Sequence, residues 1–263
     1  MGLRMLQVDA FAEKPFEGNP AAVVFLDEER DSAWMQKVAM EMNLSETAFL
    51  LREGEGWRLR WFTPAVEVDL CGHATLASAH ALWEERRAQA AGAIRFFTKS
   101  GELRAARREE AIELDFPATP ADAASPPSEL AKALGVSPRF AGKTRFDWLF
   151  LVSSESEVMS LAPDFQAMKR STERGVMVTA PASSQGCDFV SRFFAPAAGI
   201  DEDPVTGSAH CALGPFWSGR LGKNVLSARQ LSRRGGTLSV RVDGQRVFIG
   251  GRAVTTLHGE LLG

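Results

Sequence analysis

The sequence predicts an α+β fold of two similar domains, each a mixed, mostly antiparallel curled sheet or barrel around a central helix. Three observations carry that expectation. First, Thr206-Gly207-Ser208-Ala209-His210-Cys211-Ala212-Leu213 repeats the pattern of Cys71-Gly72-His73-Ala74-Thr75-Leu76-Ala77-Ser78 at an offset of 135 residues, so that Gly72 matches Gly207 and His73 matches Ser208. Second, flanking segments repeat in the same order. Gly101-Glu102-Leu103 matches Gly236-Thr237-Leu238 at 135, while Arg60-Trp61-Phe62 matches Arg192-Phe193-Phe194 and Thr47-Ala48 matches Thr179-Ala180 at 132. Ordered matches of this kind are the mark of a duplicated unit. Third, the stretch after Gly72 is apolar almost all round, with no charge before Glu84. A helix without a polar face belongs inside a structure, and a curled sheet wrapped around it would bury it.

The elements follow in order. Met5 to Phe11 reads as a strand, Gly18-Asn19-Pro20 turns the chain, and Ala21 to Leu26 is a second, buried strand. Asp31 or Ser32 caps a helix in which Trp34, Val38 and Met42 recur at helical spacing, ending near Asn43. Glu46 to Leu51 and Trp57 to Phe62 are strands, and the buried helix from Cys71 follows. Ile94 to Thr98, Leu103 to Ala106 and Ile112 to Phe116 complete the first half as strands. Pro117 to Ser128 is rich in proline and alanine, lacks periodicity, and reads as a linker. The expected domains are therefore residues 1–117 and 118–263. In the second, strands are expected at Trp148 to Val152, Val176 to Thr179 and Phe189 to Phe194, with a helix around Phe165 and Met168. The second buried helix starts at Gly207, and Pro215 should kink or shorten it. Asp243-Gly244 marks a hairpin between Thr237 to Val242 and Arg246 to Ile249.

Composition narrows the function. At 263 residues the chain has room for two ordinary domains. A net charge of −3 with no long run of one sign offers neither a nucleic-acid groove nor a membrane-binding face. Arg104, Arg107 and Arg108, followed by Glu109 and Glu110, read as a solvated strand face. No apolar run approaches the ~18–20 residues of a membrane span, and the N-terminus lacks a signal pattern. Cys71, Cys187 and Cys211 have no framework spacing, which points to a reducing, cytoplasmic setting.

The chemistry is expected where the two buried helices begin. Helix N-termini carry unpaired N–H groups and the positive end of the dipole, and two of them facing one cleft would converge on an anion, most economically a small carboxylate. Glu46 lies in Leu44-Ser45-Glu46-Thr47-Ala48, and the repeat places Val178 opposite it, so the fold does not require this acid. Flanked by apolar residues, it suits a general base. His73 suits proton transfer near neutrality. Asp203 precedes the second helix, either as a turn or capping acid or as a group orienting His73 or the substrate. Cys71, His73, His210 and Cys211 lack the spacing of a metal site, and His80, His210 and Cys211 read as packing residues. No Rossmann or P-loop glycine pattern occurs, and no lysine has a Schiff-base context, so the implied chemistry uses neither metal nor organic cofactor.

Val8-Asp9-Ala10-Phe11 with Gly18-Asn19-Pro20-Ala21, Asn43-Leu44-Ser45-Glu46-Thr47, Leu70-Cys71-Gly72-His73-Ala74-Thr75, Asp203-Pro204-Val205-Thr206-Gly207-Ser208-Ala209-His210 and the run from Gln230 through Ser232 to Arg234-Gly235-Gly236 resemble the phenazine-biosynthesis PhzF-type family. The resemblance spans nearly the whole chain. It implies a diaminopimelate-epimerase-like fold with the active site at the domain interface, a homodimer, and catalysis without a cofactor. By it, Glu46 matches the proton-shuttling glutamate, and His73, Asp203 and Ser208 match the other catalytic positions. Ser45, Gly72 and Gly207 match positions that hold the substrate carboxylate. The related epimerases use a thiol at each helix start, whereas this chain has Cys71 and Thr206, so a two-thiol racemase lacks half its machinery. Cys71 then reads as a small packed residue. The implied reaction is a proton shift on a small carboxylic acid, resembling isomerisation of trans-2,3-dihydro-3-hydroxyanthranilate. The alternatives are a one-base epimerisation of an amino or hydroxy acid and a non-catalytic carboxylate binder.

Overall fold

The turn after the first strand is set by Gly18. Its φ is +65°, and a Cβ there would stand 2.1 Å from the carbonyl oxygen of Ala10, so only glycine fits. The computed structural model describes residues 2–89, 92–172 and 174–262. They fall into two units, Met1–Phe116 with Gly250–Gly263, and Pro117–Ile249. Among the described residues no helix is long and apolar enough to cross a membrane.

The first unit contains β1 (Leu3–Ala10), β2 (Asn19–Leu26), α1 (Ser32–Met42), β3 (Glu46–Glu53), β4 (Gly56–Phe62), β5 (Glu67–Val68), α2 (Gly72–Glu84), β6 (Ala93–Thr98), β7 (Gly101–Arg108) and β8 (Ala111–Pro117). The Asp31 carboxylate accepts from the Trp34 N–H to start α1, and Asn43 ends it in the left-handed region. β2 runs parallel to β3 and β4 parallel to β6; the other neighbours, β1 with β2, β3 with β4 and β6 with β7 and on to β8, are antiparallel. Ala22, Val24, Leu26 and Phe49 pack with Met35, Val38 and Ala39 of α1. Side chains alternate along a strand, so Ala21, Val23 and Phe25 face the other way, toward α2. A strand covered on both faces explains the unbroken apolar run of β2. In α2 every residue but Gly72, His80 and Glu84 is buried, as its missing polar face requires.

The second unit contains β9 (Asp122–Ala123), α3 (Ser128–Leu134), β10 (Phe140–Lys143), β11 (Asp147–Leu151), α4 (Glu155–Met159), α5 (Phe165–Ser171), β12 (Gly175–Pro181), β13 (Phe189–Ala195), β14 (Ile200–Asp203), α6 (Gly207–Leu221), β15 (Val225–Gln230), β16 (Gly236–Asp243) and β17 (Arg246–Gly251). The order of pairings is repeated: β11 parallel to β12, β12 antiparallel to β13, β13 parallel to β15, β15 antiparallel to β16. Trp148, Phe150, Val176 and Val178 pack with Leu130, Val158 and Met168 of α3, α4 and α5.

The registers confirm the duplication and correct it in one place. Trp57 pairs with Phe96 as Phe189 pairs with Ala228, and Phe96 with Leu103 as Ala228 with Leu238. Phe62, however, pairs with Thr47, while its counterpart Phe194 pairs with Val176. The counterpart of Thr47 is thus Val176 rather than Thr179, and that of Glu46 is Gly175 rather than Val178. The Thr-Ala match was a coincidence of letters three residues out of register.

Three further expectations change. The supposed linker is partly structured: β9 pairs with β10, and α3 begins at Ser128. The second domain does not run to the C-terminus. Gly250–Gly263 belongs to the first unit, where β18 (Ala253–Leu261) pairs antiparallel with β1. Pro215 does not shorten α6, which continues to Leu221. Proline cannot donate to the carbonyl four residues back, and that carbonyl, of Cys211, instead accepts the backbone N–H of Thr119 at 3.0 Å.

Candidate active site

Strand parity aims Glu46. Phe49 packs toward α1, so Thr47 shares that face, and Glu46, Ala48 and Leu50 take the face that meets α2. There Glu46, 9% exposed, lies with its Oε2 3.0 Å from Nε2 of His73, which is 5% exposed in the first turn of α2. The other ring nitrogen, Nδ1, faces the Cys71 thiol at 3.5 Å and the amide Nδ2 of buried Asn19 at 3.2 Å. Burial disfavours the imidazolium, but Cys71 and Glu46 outweigh it and raise the His73 pKa well above its ordinary value. Burial and the Glu46 charge push the Cys71 thiol up. Cys71 is therefore more than a packed small residue: it stands at one end of a buried thiol–imidazole–carboxylate row.

One donor atom from each of Glu46, Cys71 and His73 lies within 4.8 Å of the others, close enough to suggest a metal site. Yet the carboxylate and the thiol address opposite nitrogens of one ring. A single ion takes only one nitrogen of an imidazole, so this placement suits proton handling better than chelation.

In the second unit, Asp203 ends β14 and accepts from Thr206 Oγ1 at 2.5 Å. Fully buried Gln230 holds this loop. It accepts the Thr206 N–H at 2.9 Å, while its amide nitrogen donates to the Asp203 carbonyl at 2.8 Å and to Thr206 Oγ1 at 3.1 Å. Thr206 is the N-cap of α6, as Cys71 is of α2, and neither side chain accepts a capping bond from its helix. Gly207 and Ser208 open α6 as Gly72 and His73 open α2. Ser45 is half-buried beside Glu46.

Three residues here escape sequence reasoning: Asp147, Arg174 and Asn19. Asp147 is buried, is bound by an Arg174 guanidinium nitrogen, and is raised in pKa by burial against that pairing. The second guanidinium nitrogen of Arg174 lies 3.5 Å from Ser208 Oγ. The signal was an acid heading the apolar run Asp147-Trp148-Leu149-Phe150-Leu151. Gly18-Asn19-Pro20 reads as a turn, yet Asn19 is fully buried and its amide Nδ2 lies 3.2 Å from His73 Nδ1. His210 and Cys211 are packing residues, as expected: burial lowers the His210 pKa to about 4 and raises that of Cys211 to about 12.

A buried carboxylate–imidazole pair at the start of an apolar helix can handle a proton, and proteins of similar sequence and structure narrow the class. The PhzC-PhzF family profile, described as phenazine biosynthesis-like protein, matches residues 8–259. The chain is 53% identical over 256 residues to an uncharacterized isomerase of Halalkalibacterium halodurans, covering 97% of each. It matches the crystal structure of a PhzF-family phenazine biosynthesis protein from Enterococcus faecalis at 44% identity and a TM-score of 0.94, over 100% of both chains. A probable proline racemase from Agrobacterium radiobacter shares the fold alone, at 14% identity and a TM-score of 0.65 over 99% of this chain and 93% of that one. The chain belongs to the PhzC-PhzF family and is an enzyme of the isomerase type.

Proposed function

We propose that the chain moves a proton on a small carboxylic acid without a cofactor, with Glu46 as the general acid and base. The observation that supports this most is the buried Glu46–His73 contact of 3.0 Å at the start of α2. The Glu46 carboxylate takes a proton from carbon and becomes a carboxylic acid, the double-bond electrons shift, and a proton that has exchanged with solvent is returned to another carbon by Glu46, or by His73, which Glu46 then reprotonates. Atoms and electrons balance with no oxidant or reductant. Ser45 and the N–H groups at the start of α2, that of Gly72 among them, would hold the substrate carboxylate, and charge building on the conjugated skeleton is stabilised by donors already in place. His73, Asp203 and Ser208 serve the same reaction by the family resemblance, with Asp203 orienting a substrate amine. A two-thiol racemase is disfavoured because the hydroxyl of Thr206, opposite Cys71 in the repeat, is turned to Asp203. One-base epimerisation uses the same groups.

Proton exchange in D2O tests the reading. Wild type and Glu46→Gln are incubated with cyclohexadienyl, amino and hydroxy carboxylic acids and read by NMR and mass spectrometry. Deuterium should enter one compound with wild type and fall at least a hundredfold with the variant. A shifted double bond marks isomerisation and an inverted centre marks epimerisation. Exchange that survives in the variant removes Glu46 from the chemistry, and ligand binding with no exchange marks a binder.

A further inference from the structure

The register that assigns Gly175 as the counterpart of Glu46 also assigns Arg174 to Ser45, just as Ser208 corresponds to His73 and Gly207 to Gly72. We infer that Arg174 is a substrate-binding residue that determines specificity, receiving a carboxylate of the substrate at the first turn of α6; this rests on the proton-transfer reading above.

The two units have resolved the same position in opposite ways. In the first, Ala21 sits beside Glu46 on adjoining strands, and the acid reaches His73. In the second, Asp147 sits beside Gly175, so the acid has moved one strand over. A side chain at 175 has no room: a Cβ would lie 2.3 Å from the Phe193 ring and 3.0 Å from Asp147 Oδ1. What reaches the helix start is instead a cation. One guanidinium nitrogen of Arg174 is tied to buried Asp147, and the other leans toward Ser208 Oγ at 3.5 Å. A guanidinium carries five N–H donors in a plane, matched to a carboxylate, and the Arg174 side chain is still 41% exposed.

A purely structural ion pair would need only Asp147 and Arg174. Here Arg145 adds a second cation. Both guanidinium groups lie over the ring of Phe146, at 5.1 Å and 5.4 Å, and that ring is 48% exposed. The turn carrying them is fixed by Thr144, whose Oγ1 accepts the N–H groups of Phe146 at 3.0 Å and Asp147 at 2.8 Å. The result is a positively charged, half-open group with an aromatic wall beside a helix start, suited to a planar anion.

The test is thermal unfolding of the full chain in sodium malonate, against sodium chloride of equal ionic strength and against neutral malonamide. Wild type should show a saturable rise in Tm with malonate alone. Arg174→Met should lose it, and Arg174→Lys should need at least threefold more malonate for the half-maximal rise. Glu46→Gln should keep the full rise, so failure of the Glu46 chemistry and failure of this inference are read separately. No saturable rise in wild type, or an undiminished rise in Arg174→Met, overturns the inference. If Arg174→Met does not fold, an unchanged midpoint in Arg174→Lys does the same.

Discussion

His73 and His210 are buried imidazoles in the first turns of two matching helices, and their surroundings drive them in opposite directions. His73 faces Glu46 and Cys71 and is raised well above its ordinary value. His210 meets the Thr206 carbonyl, 2.8 Å from Nδ1, and the Phe189 ring against which it stacks, and burial lowers it to about 4. The signs differ accordingly. The His73 contribution is fully present below its unfolded value and is lost as pH rises through the raised folded one. For His210, the unfolded chain takes up a proton below about 6.5 and the native state only below about 4, so stability falls as pH drops through that window. The full loss is ~3 kcal/mol. Urea unfolding of wild type and His210→Leu at pH 7, 6, 5 and 4 should show a flatter acid limb in the variant by about that amount. Parallel limbs would mean His210 is not the group that titrates.

At the scale of elements, paired strands trade side chains while keeping their register. Glu46 has a neighbour without bulk, Ala21, and Gly175 has a neighbour with a carboxylate, Asp147. Gly175→Ala should therefore destabilise the second unit by ~1–3 kcal/mol through overpacking against Phe193. Phe193→Leu combined with it should recover part of that loss, as measured by urea unfolding. A neutral Gly175→Ala would contradict the assigned close approach. The helices show the same economy: α6 tolerates Pro215 because the Thr119 N–H occupies the carbonyl that proline leaves without a donor.

On the scale of the whole molecule, the last strand decides what can fold alone. β18 completes the first unit by pairing along all of β1, so a cut after residue 117 strips one edge from that unit and leaves the strand on the wrong fragment. A fragment of residues 117–249 should unfold cooperatively. Residues 1–116 should do so only when 250–263 are joined ahead of residue 2 by a flexible linker. Circular dichroism and urea titration of the three fragments check this; a cooperative transition in unlinked 1–116 would show that β1 does not need β18.

The sequence by itself determined most elements of the first unit, the duplication, and the positions of Glu46, His73 and the two helix starts, but not α3, α4, β15 or β18. Those rest on local signals: alternation, capping residues, an apolar helix with no polar face, and a repeated motif. It could not set the strand register, because Thr47-Ala48 and Thr179-Ala180 look alike while backbone pairing puts Val176, not Thr179, at the matching place. Only the tertiary structure brought Glu46 and Asn19 to His73, returned β18 to the first unit, and joined Asp147, Arg174 and Ser208. Each is a meeting of residues far apart in the chain or aimed by parity. Such contacts are decided by how strands pair and which face a helix covers, and no short window of sequence carries that information.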